Sequence, residues 1–397
     1  VPERLPIFDD HERTNGAPAT HGETSFAFLN RVAGEYWTHP RELLQQWADR
    51  LPDDAYADIS GRLRKDDAQA RSAFLELYLH ETLLRSGFTV TIHPDLPDSD
   101  RHVDFLAVQG EERFYLEAVM PGGPDTAESN RQSRFLDAVN LLDDDRFFLS
   151  LLQLEVGPTA VSARGIRKDL KRWLDTLDPD AVKTSGGWPT FSWSEHGWSA
   201  EFGAVPKSVG RRHSSRGQAI GVYAHYEAEF IDNPSVIRRG ALSKVRRYGA
   251  LDAPLVIAVG VYIHDPDLGD TIAAMYGSQV WGLAGAGNPQ AMRMTDGFFG
   301  SKHDPRHVTT SAVLVVNQLQ PYHVHRAQVT VLHHPWTQAS RLPAQAFHAT
   351  EIRLEGARLV RTSASESAGV FFGVDSWADA DPWPAVDVEQ LSEGGSS

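Results

Sequence analysis

The stretch Val103–Val119, VDFLAVQGEERFYLEAV, decides how this chain is read. Two short runs rich in β-branched and aromatic residues, Val103–Val108 and Arg113–Val119, flank Gln109-Gly110-Glu111-Glu112 and read as a β-hairpin. A turn centred between Gly110 and Glu111 sets Phe105 opposite Leu116 and Asp104 opposite Glu117. Directly opposed residues share one face of the ribbon, with Cβ atoms roughly 4.5–5.5 Å apart. Asp104 and Glu117 therefore repel. Their neighbours Phe105, Leu106, Leu116 and Ala118 are apolar, which puts the pair on a half-buried surface where an uncompensated double charge is costly. A hard divalent cation is the simplest compensation. Mg2+ takes one or two carboxylates and keeps waters for a phosphate substrate, as a metal-assisted phosphodiester hydrolase requires. The bland alternative is a pair of solvated carboxylates on an exposed hairpin.

Upstream, Asp66–Arg85 (DDAQARSAFLELYLHETLLR) opens on acidic residues, closes on Arg and is followed by Gly87, the start and stop signals of a helix. Apolar residues occupy nearly every direction of its wheel, so it reads as mostly buried, with Glu76 and His80 as its only polar stripe. A Glu on such a helix needs a partner, either a cation near the sheet or an Arg in a salt bridge. Phe88–Ile92 reads as a strand. Residues 1–24 read as an extended or mobile lead-in and residues 25–63 as two short helices, so that 1–60 forms a helical prelude to a first core segment, 61–125.

Downstream, MPGGPD breaks the chain and residues 126–236 read as a large basic insertion. It holds a charged helix near 129–145, a strand at 147–156, a basic helix at 162–177, Trp/Ser-rich strands and the loop GRRHSSRG. A second core segment, 237–335, follows with a helix at Ile237–Tyr248 and an almost wholly apolar strand, Pro254–Tyr262, suited to the centre of a sheet. After a Gly-rich stretch (282–301) come strand 311–317 and a final strand pair reaching His334, in which His323 and His325 alternate on one face. Residues 336–397 read as an extension with a disordered acidic end.

The order helix with Glu (FLELYLHETLLRSGF), strand, strand with Asp (HVDFLA), strand with Glu (FYLEAV), helix, apolar strand resembles the PD-(D/E)xK restriction-endonuclease-like fold over residues 66–120 and 237–262. The resemblance implies an α/β protein with an αβββαβ core, a mixed sheet, a large insertion and additional C-terminal strands. It implies that Asp104 and Glu117 hold Mg2+ (or Mn2+), helped by the Ala118 carbonyl, with Glu76 as an outer acid that orients metal-bound water. The stretch SAVLVVNQLQPY…VTVLHHPW resembles the tail of bacterial proteins that carry this type of core. Two positions depart from the pattern: Val103 stands where Pro is usual, and Val119 stands where the lysine is expected. In this fold the lysine migrates to the following helix, and Lys244 in ALSKVRRYG is placed to supply the cation that phosphoryl chemistry demands. Its bland reading is one solvated cation among several.

Composition sets the outer limits. A chain of 397 residues with 41% hydrophobic and 23% charged residues can bury a sizeable core and is not a disordered segment. It has no cysteine, which excludes disulfides, thiolate zinc sites, iron–sulfur clusters and a Cys nucleophile, and leaves His, Asp and Glu as metal ligands. The formal charge of −15 speaks against a nucleic-acid partner, yet residues 161–250 carry 15 Lys and Arg against 9 Asp and Glu. That segment supplies the candidate phosphate contacts Arg211, Arg212, Arg216, Arg238, Arg239, Arg246 and Arg247. His323, His325, His333 and His334 lack an HExxH-type third ligand and read as ordinary strand histidines, and the Trp residues of 188–198 either stack on bases or, more commonly for such residues, close a small core or insertion. No apolar stretch approaches the roughly 18 residues of a membrane span, and the opening residues lack a signal-peptide pattern. The expectation is a cytoplasmic Mg2+-dependent nuclease acting on DNA, with no membrane partner and with a homodimer admitted. Its rival is a non-catalytic nucleic-acid- or protein-binding module that keeps the fold without the lysine.

Overall fold

Phe105 pairs with Leu116, Ala107 with Phe114 and Gln109 with Glu112, so the hairpin has the expected register. Its two-residue turn is opened by Gly110 at φ +62°, the left-handed backbone that such turns demand and that glycine adopts without strain. These coordinates come from a computed structural model that describes residues 4–96, 101–121, 126–185, 187–207, 219–223, 232–245, 248, 251–284, 288–343, 346–356 and 358–382.

Along the chain, helices α1 (Ser25–Arg31), α2 (Glu35–Ala48), α3 (Asp53–Lys65) and α4 (Asp67–Arg85) precede strands β1 (Thr89–Ile92), β2 (Phe105–Gln109) and β3 (Glu112–Val119). The next elements are α5 (Thr126–Asn140), β4 (Phe147–Glu155), α6 (Ala163–Leu174), α7 (Pro179–Ser185), β5 (Thr190–Glu195), β6 (Trp198–Pro206) and β7 (Ile220–Tyr223). Helix α8 (Asn233–Val245) leads into β8 (Leu255–Val261), α9 (Gly269–Tyr276) and the hairpin β9 (Gln279–Ala284) and β10 (Asn288–Arg293). Strands β11 (Thr310–Asn317), β12 (Gln328–His333), β13 (Thr350–Glu355) and β14 (Arg358–Thr362) and helix α10 (Ala368–Phe372) complete the order.

Two compact units result, the first of residues 1–17, 24–121 and 232–397 and the second of residues 18–23 and 122–231. In the first, an eight-stranded mixed sheet runs β1-β2-β3-β8-β11-β12-β13-β14. Strand β8 is parallel to both β3 and β11, and the hairpins at the flanks are antiparallel. Every residue of β8 and β11 is buried, which is why β8 reads as an almost wholly apolar run rather than an alternating one. Phe105, Phe114 and Leu116 pack with Phe74, Leu77 and Tyr78 of α4 on one face. Tyr115, Ile257 and Val315 pack with Ile237 and Ala241 of α8 and with Ala274 and Met275 of α9 on the other. Helix α4 starts where the Asp66 carboxylate accepts the Gln69 N–H at 2.8 Å and stops before Gly87 at φ +86°.

The second unit is a four-stranded sheet in the order β5-β6-β4-β7. Ile166, Leu170 and Leu174 of α6 are buried in its core with Phe147, Trp198 and Phe202, while Arg164, Lys168 and Arg172 face outward. The basic helix is thus amphipathic, and Trp198 is a core residue whose Nε1 donates to the Thr159 carbonyl at 2.7 Å.

Several expectations are corrected. Residues 25–65 form three helices, not two. The lead-in is extended but anchored: Ile7 is fully buried, its N–H donates to Gln45, and Arg64 donates to the Pro6 and Ile7 carbonyls. His325 lies in a 3-10 turn that follows His323, so the two do not alternate on a strand. The C-terminal extension adds β13 and β14 to the main sheet, α9 lies in residues to which the sequence pattern assigns no element, and the β9–β10 hairpin runs into the Gly-rich stretch. Among the described residues, no helix is long and apolar enough to cross a membrane.

Candidate active site

The hairpin register carries one step past its last paired residues, so Asp104, immediately before β2, stands against Glu117 of β3. Backbone groups bind the two acids reciprocally: the Asp104 N–H donates to Glu117 Oε2 at 3.2 Å and the Ala118 N–H donates to Asp104 Oδ2 at 2.6 Å. The neighbouring strand fixes this geometry, because Glu117 and Ala118 pair in parallel register with Ile257 and Ala258 of the buried β8. The Glu117 side chain is only 2% exposed.

The compensating charge comes from α8. The Lys244 amine, itself 15% exposed, donates to Glu117 Oε1. A glycine one turn earlier allows that reach. A Cβ on Gly240 would lie 2.8 Å from Pro121 Cγ and 3.0 Å from Val259 Cγ1, so the helix approaches the sheet as closely as it does only without a side chain there. Gly240→Val is expected to cost about 1–3 kcal/mol by overpacking. The midpoint of urea unfolding measures this, and an unchanged midpoint would show that α8 can shift away without penalty.

Asp104 has its pKa pushed up to about 7. Burial is the main cause, followed by the charges of Glu117 and Glu76, and the Ala118 N–H and the Lys244 amine only partly oppose them. Near neutral pH this carboxyl is therefore poised between its protonated and ionised forms.

Glu76 lines a narrow cleft together with His93, Asp104 and Phe105, but an arginine already grips it. Arg62 of α3 donates to both of its oxygens, at 2.7 and 2.6 Å, in a bidentate pair. The polar stripe of α4 is also wider than Glu76 and His80. Glu81 is fully buried between Arg50 and Arg85, and His80 is 3% exposed, with burial and then the Arg50 charge lowering its pKa to about 4. His80 is thus a neutral core residue at neutral pH.

The structure brings in two residues that the sequence did not single out. His93 has a left-handed backbone, φ +46°, and its N–H donates to the Asp104 carbonyl at 3.0 Å. Such a conformation is uncommon for a residue other than glycine and costs energy that the surrounding contacts must offset. Its only advance signal was its place at the head of a Pro/Asp-rich break. Arg62 had no signal at all, because its meeting with Glu76 depends on how α3 packs against α4.

The basic candidates divide. Arg238 donates to the Asp296 carbonyl and to Ser235 Oγ, and Arg239 is exposed on α8. Arg211, Arg212, Arg216, Arg246 and Arg247 lie outside the described residues. His333 contacts Glu351, and His334 lies 2.6 Å from the Arg306 carbonyl. Among the described residues no three His, Asp or Glu side chains converge as a ligand cage, so the Asp104–Glu117 site offers two carboxylates and not three. Comparisons of the chain with protein-family models, with curated proteins and with solved structures gave no match.

Proposed function

We propose that this protein is a Mg2+-dependent phosphodiester hydrolase, a nuclease of the PD-(D/E)xK restriction-endonuclease-like type that acts on DNA. The observation that carries the reading is the meeting of Asp104, just before β2, Glu117 of β3 and the Lys244 amine of α8. The element order α4, β1, β2, β3, α8, β8, with β3 and β8 parallel, also agrees with an αβββαβ core. Two adjacent carboxylates are hard oxygen donors of the kind Mg2+ or Mn2+ takes, and the Ala118 carbonyl is the third donor the reading assigns. When bound, the ion would offset their mutual repulsion and act as a Lewis acid on a phosphoryl oxygen.

The chain's own groups have separable tasks. Lys244 keeps Glu117 compensated and oriented, and its positive charge is suited to the negative charge that develops on a phosphoryl group under attack. Asp104, with its raised pKa, changes charge near neutral pH and couples ion binding to proton release. Glu76, clamped by Arg62, contributes its field at Asp104. Arg239 is an exposed cation suited to a phosphate backbone, and the same role is proposed for Arg211, Arg212, Arg216, Arg246 and Arg247. Arg238 would have to give up its bonds to Ser235 and Asp296 to join them.

Val119 at the usual lysine position favours a second reading, a binding module that has lost catalysis. Incubation with plasmid, single-stranded DNA and RNA in Mg2+, in Mn2+ and in chelator separates the two. The expected result is DNA cleavage with either ion, none in chelator and none by Asp104→Ala. Binding without cleavage under every condition would establish the module instead.

A further inference from the structure

A second site stands apart from the paired carboxylates, at the β13–β14 end of the main sheet. An open groove of about 460 Å3 lies among the end of α9, the β9–β10 hairpin, residues 294–302 and the turn between β13 and β14. Its volume falls within the range of about 300–1,000 Å3 usual for small-ligand pockets. In the sheet order, β13 is four strands from β3, which at 4.7–4.9 Å per strand places it about 19 Å away. A small ligand in the groove would not touch Asp104 or Glu117.

Apolar side chains make the walls: Met292, Met294, Trp336, Leu354 and Leu359. Met292 and Met294 are 54% and 50% exposed, and Val280, the cross-strand partner of Met292, is 39% exposed. Holding these large apolar groups in water is unfavourable, and such clusters mark binding surfaces. Methionine in particular adapts its shape and makes favourable sulfur contacts with aromatic rings.

The polar groups narrow the choice of ligand. Arg293 and Lys302 line the groove, and among the described residues no Asp or Glu does. Among the described residues the side chains of Lys302 and Gln279 have no hydrogen-bond or ion-pair partner, and the Arg293 side chain donates to the Gly277 carbonyl at 3.1 Å. The groove therefore offers two cations for an anion and an apolar wall with an indole ring for a flat body. It also offers an amide, with one acceptor and two donors, for a hydrogen-bonding edge. A fatty acid would use the apolar wall and leave the amide unmatched, and inorganic phosphate would use the cations and leave the wall unmatched. A nucleobase joined to a phosphate uses all three: the ring stacks, its edge meets Gln279, and the phosphate meets Arg293 and Lys302.

We infer that this groove is a nucleotide-binding site for a nucleoside monophosphate unit, either free or within a single strand. It is independent of the proposed nuclease chemistry, and its test can be run with that chemistry silenced. Titration calorimetry of the full chain in chelator, with dAMP, adenosine, inorganic phosphate and a short single-stranded oligodeoxynucleotide, reads it directly. The expected result is saturable binding of dAMP, with adenosine and phosphate each weaker by about tenfold or more. Lys302→Glu, at an exposed residue, should weaken dAMP by about tenfold or more, and Asp104→Ala should leave it unchanged. Tighter binding of the oligonucleotide than of dAMP assigns the groove to a unit of a strand, and the reverse order assigns it to a free nucleotide. The inference is overturned if neither binds, if Lys302→Glu binds as well as the parent chain, or if Asp104→Ala loses binding. The last outcome would place the ligand at the carboxylates.

Discussion

Lys244→Met is expected to lower folding stability by about 3 kcal/mol at neutral pH and to abolish metal-dependent cleavage. The energetic part follows from what the amine leaves behind. Glu117 is 2% exposed and lies against Asp104, so removing Lys244 takes a cation from a carboxylate that water hardly reaches while a second acid still repels it. Removing one member of a buried pair typically costs about 3–5 kcal/mol, and the 15% exposure of Lys244 argues for the lower end. The double variant Lys244→Met with Glu117→Gln separates stability from chemistry. It should recover much of the lost stability, since the buried negative charge goes together with the cation that offset it, and should recover no cleavage. Urea unfolding and plasmid cleavage measured on the same samples test both parts. Equal midpoints for Lys244→Met and the parent chain would mean that the amine does not compensate Glu117, and the assignment of Lys244 would fall with it.

That pairing also marks the boundary between what the residues disclosed in advance and what they did not. Register was legible because a two-residue turn at Gly110 leaves a strand pair no freedom to slip, and a one-residue slip would have moved Glu117 to the opposite face. Helix α4 was legible from its acidic start, from Arg85 and from Gly87, and the buried strand β8 from its almost wholly apolar run. Strands β13 and β14 were not, because only Ile352 among their residues is buried and the rest carry the polar pattern of a sheet edge. The site divides along the same line. The opposition of Asp104 and Glu117 is local and could be derived, and the need for a nearby cation could be argued from chemistry. That Lys244 supplies it depends on Gly240 letting α8 press against Val259, a tertiary fact with no local signature. The clamp of Arg62 on Glu76 and the left-handed backbone of His93 are of that second kind. In the sequence, Glu76 was allowed an Arg partner without its being named and His93 was not singled out, because packing, not spacing, produces both.

Asp104→Asn is expected to stabilise the chain in chelator at pH 8 while eliminating cleavage, so that gain and loss come from one substitution. Asp104 titrates near 7 in the folded protein, well above its ordinary value, because burial and two neighbouring acids disfavour its charged form. A group whose pKa is raised by folding contributes stability in full below its ordinary pKa, and that contribution is lost as the pH rises through the folded value. In chelator the parent chain should therefore lose about 1–3 kcal/mol between pH 5 and pH 8 through this group, a figure reduced for partial solvation and for its coupling to Glu117. Asparagine cannot ionise, yet its carbonyl oxygen can still accept the Ala118 N–H that now reaches Asp104 Oδ2. The variant should lack this loss and should melt above the parent chain at pH 8. Mg2+ should then act oppositely on the two proteins. It favours the ionised carboxylate, so it should raise the melting temperature of the parent chain at pH 8 and leave Asp104→Asn nearly unmoved. Should Asp104→Asn melt at or below the parent chain in chelator at pH 8, the two carboxylates are not in electrostatic conflict. A cation would then have nothing to relieve at this site, and the physical reason for placing one between Asp104 and Glu117 would be gone.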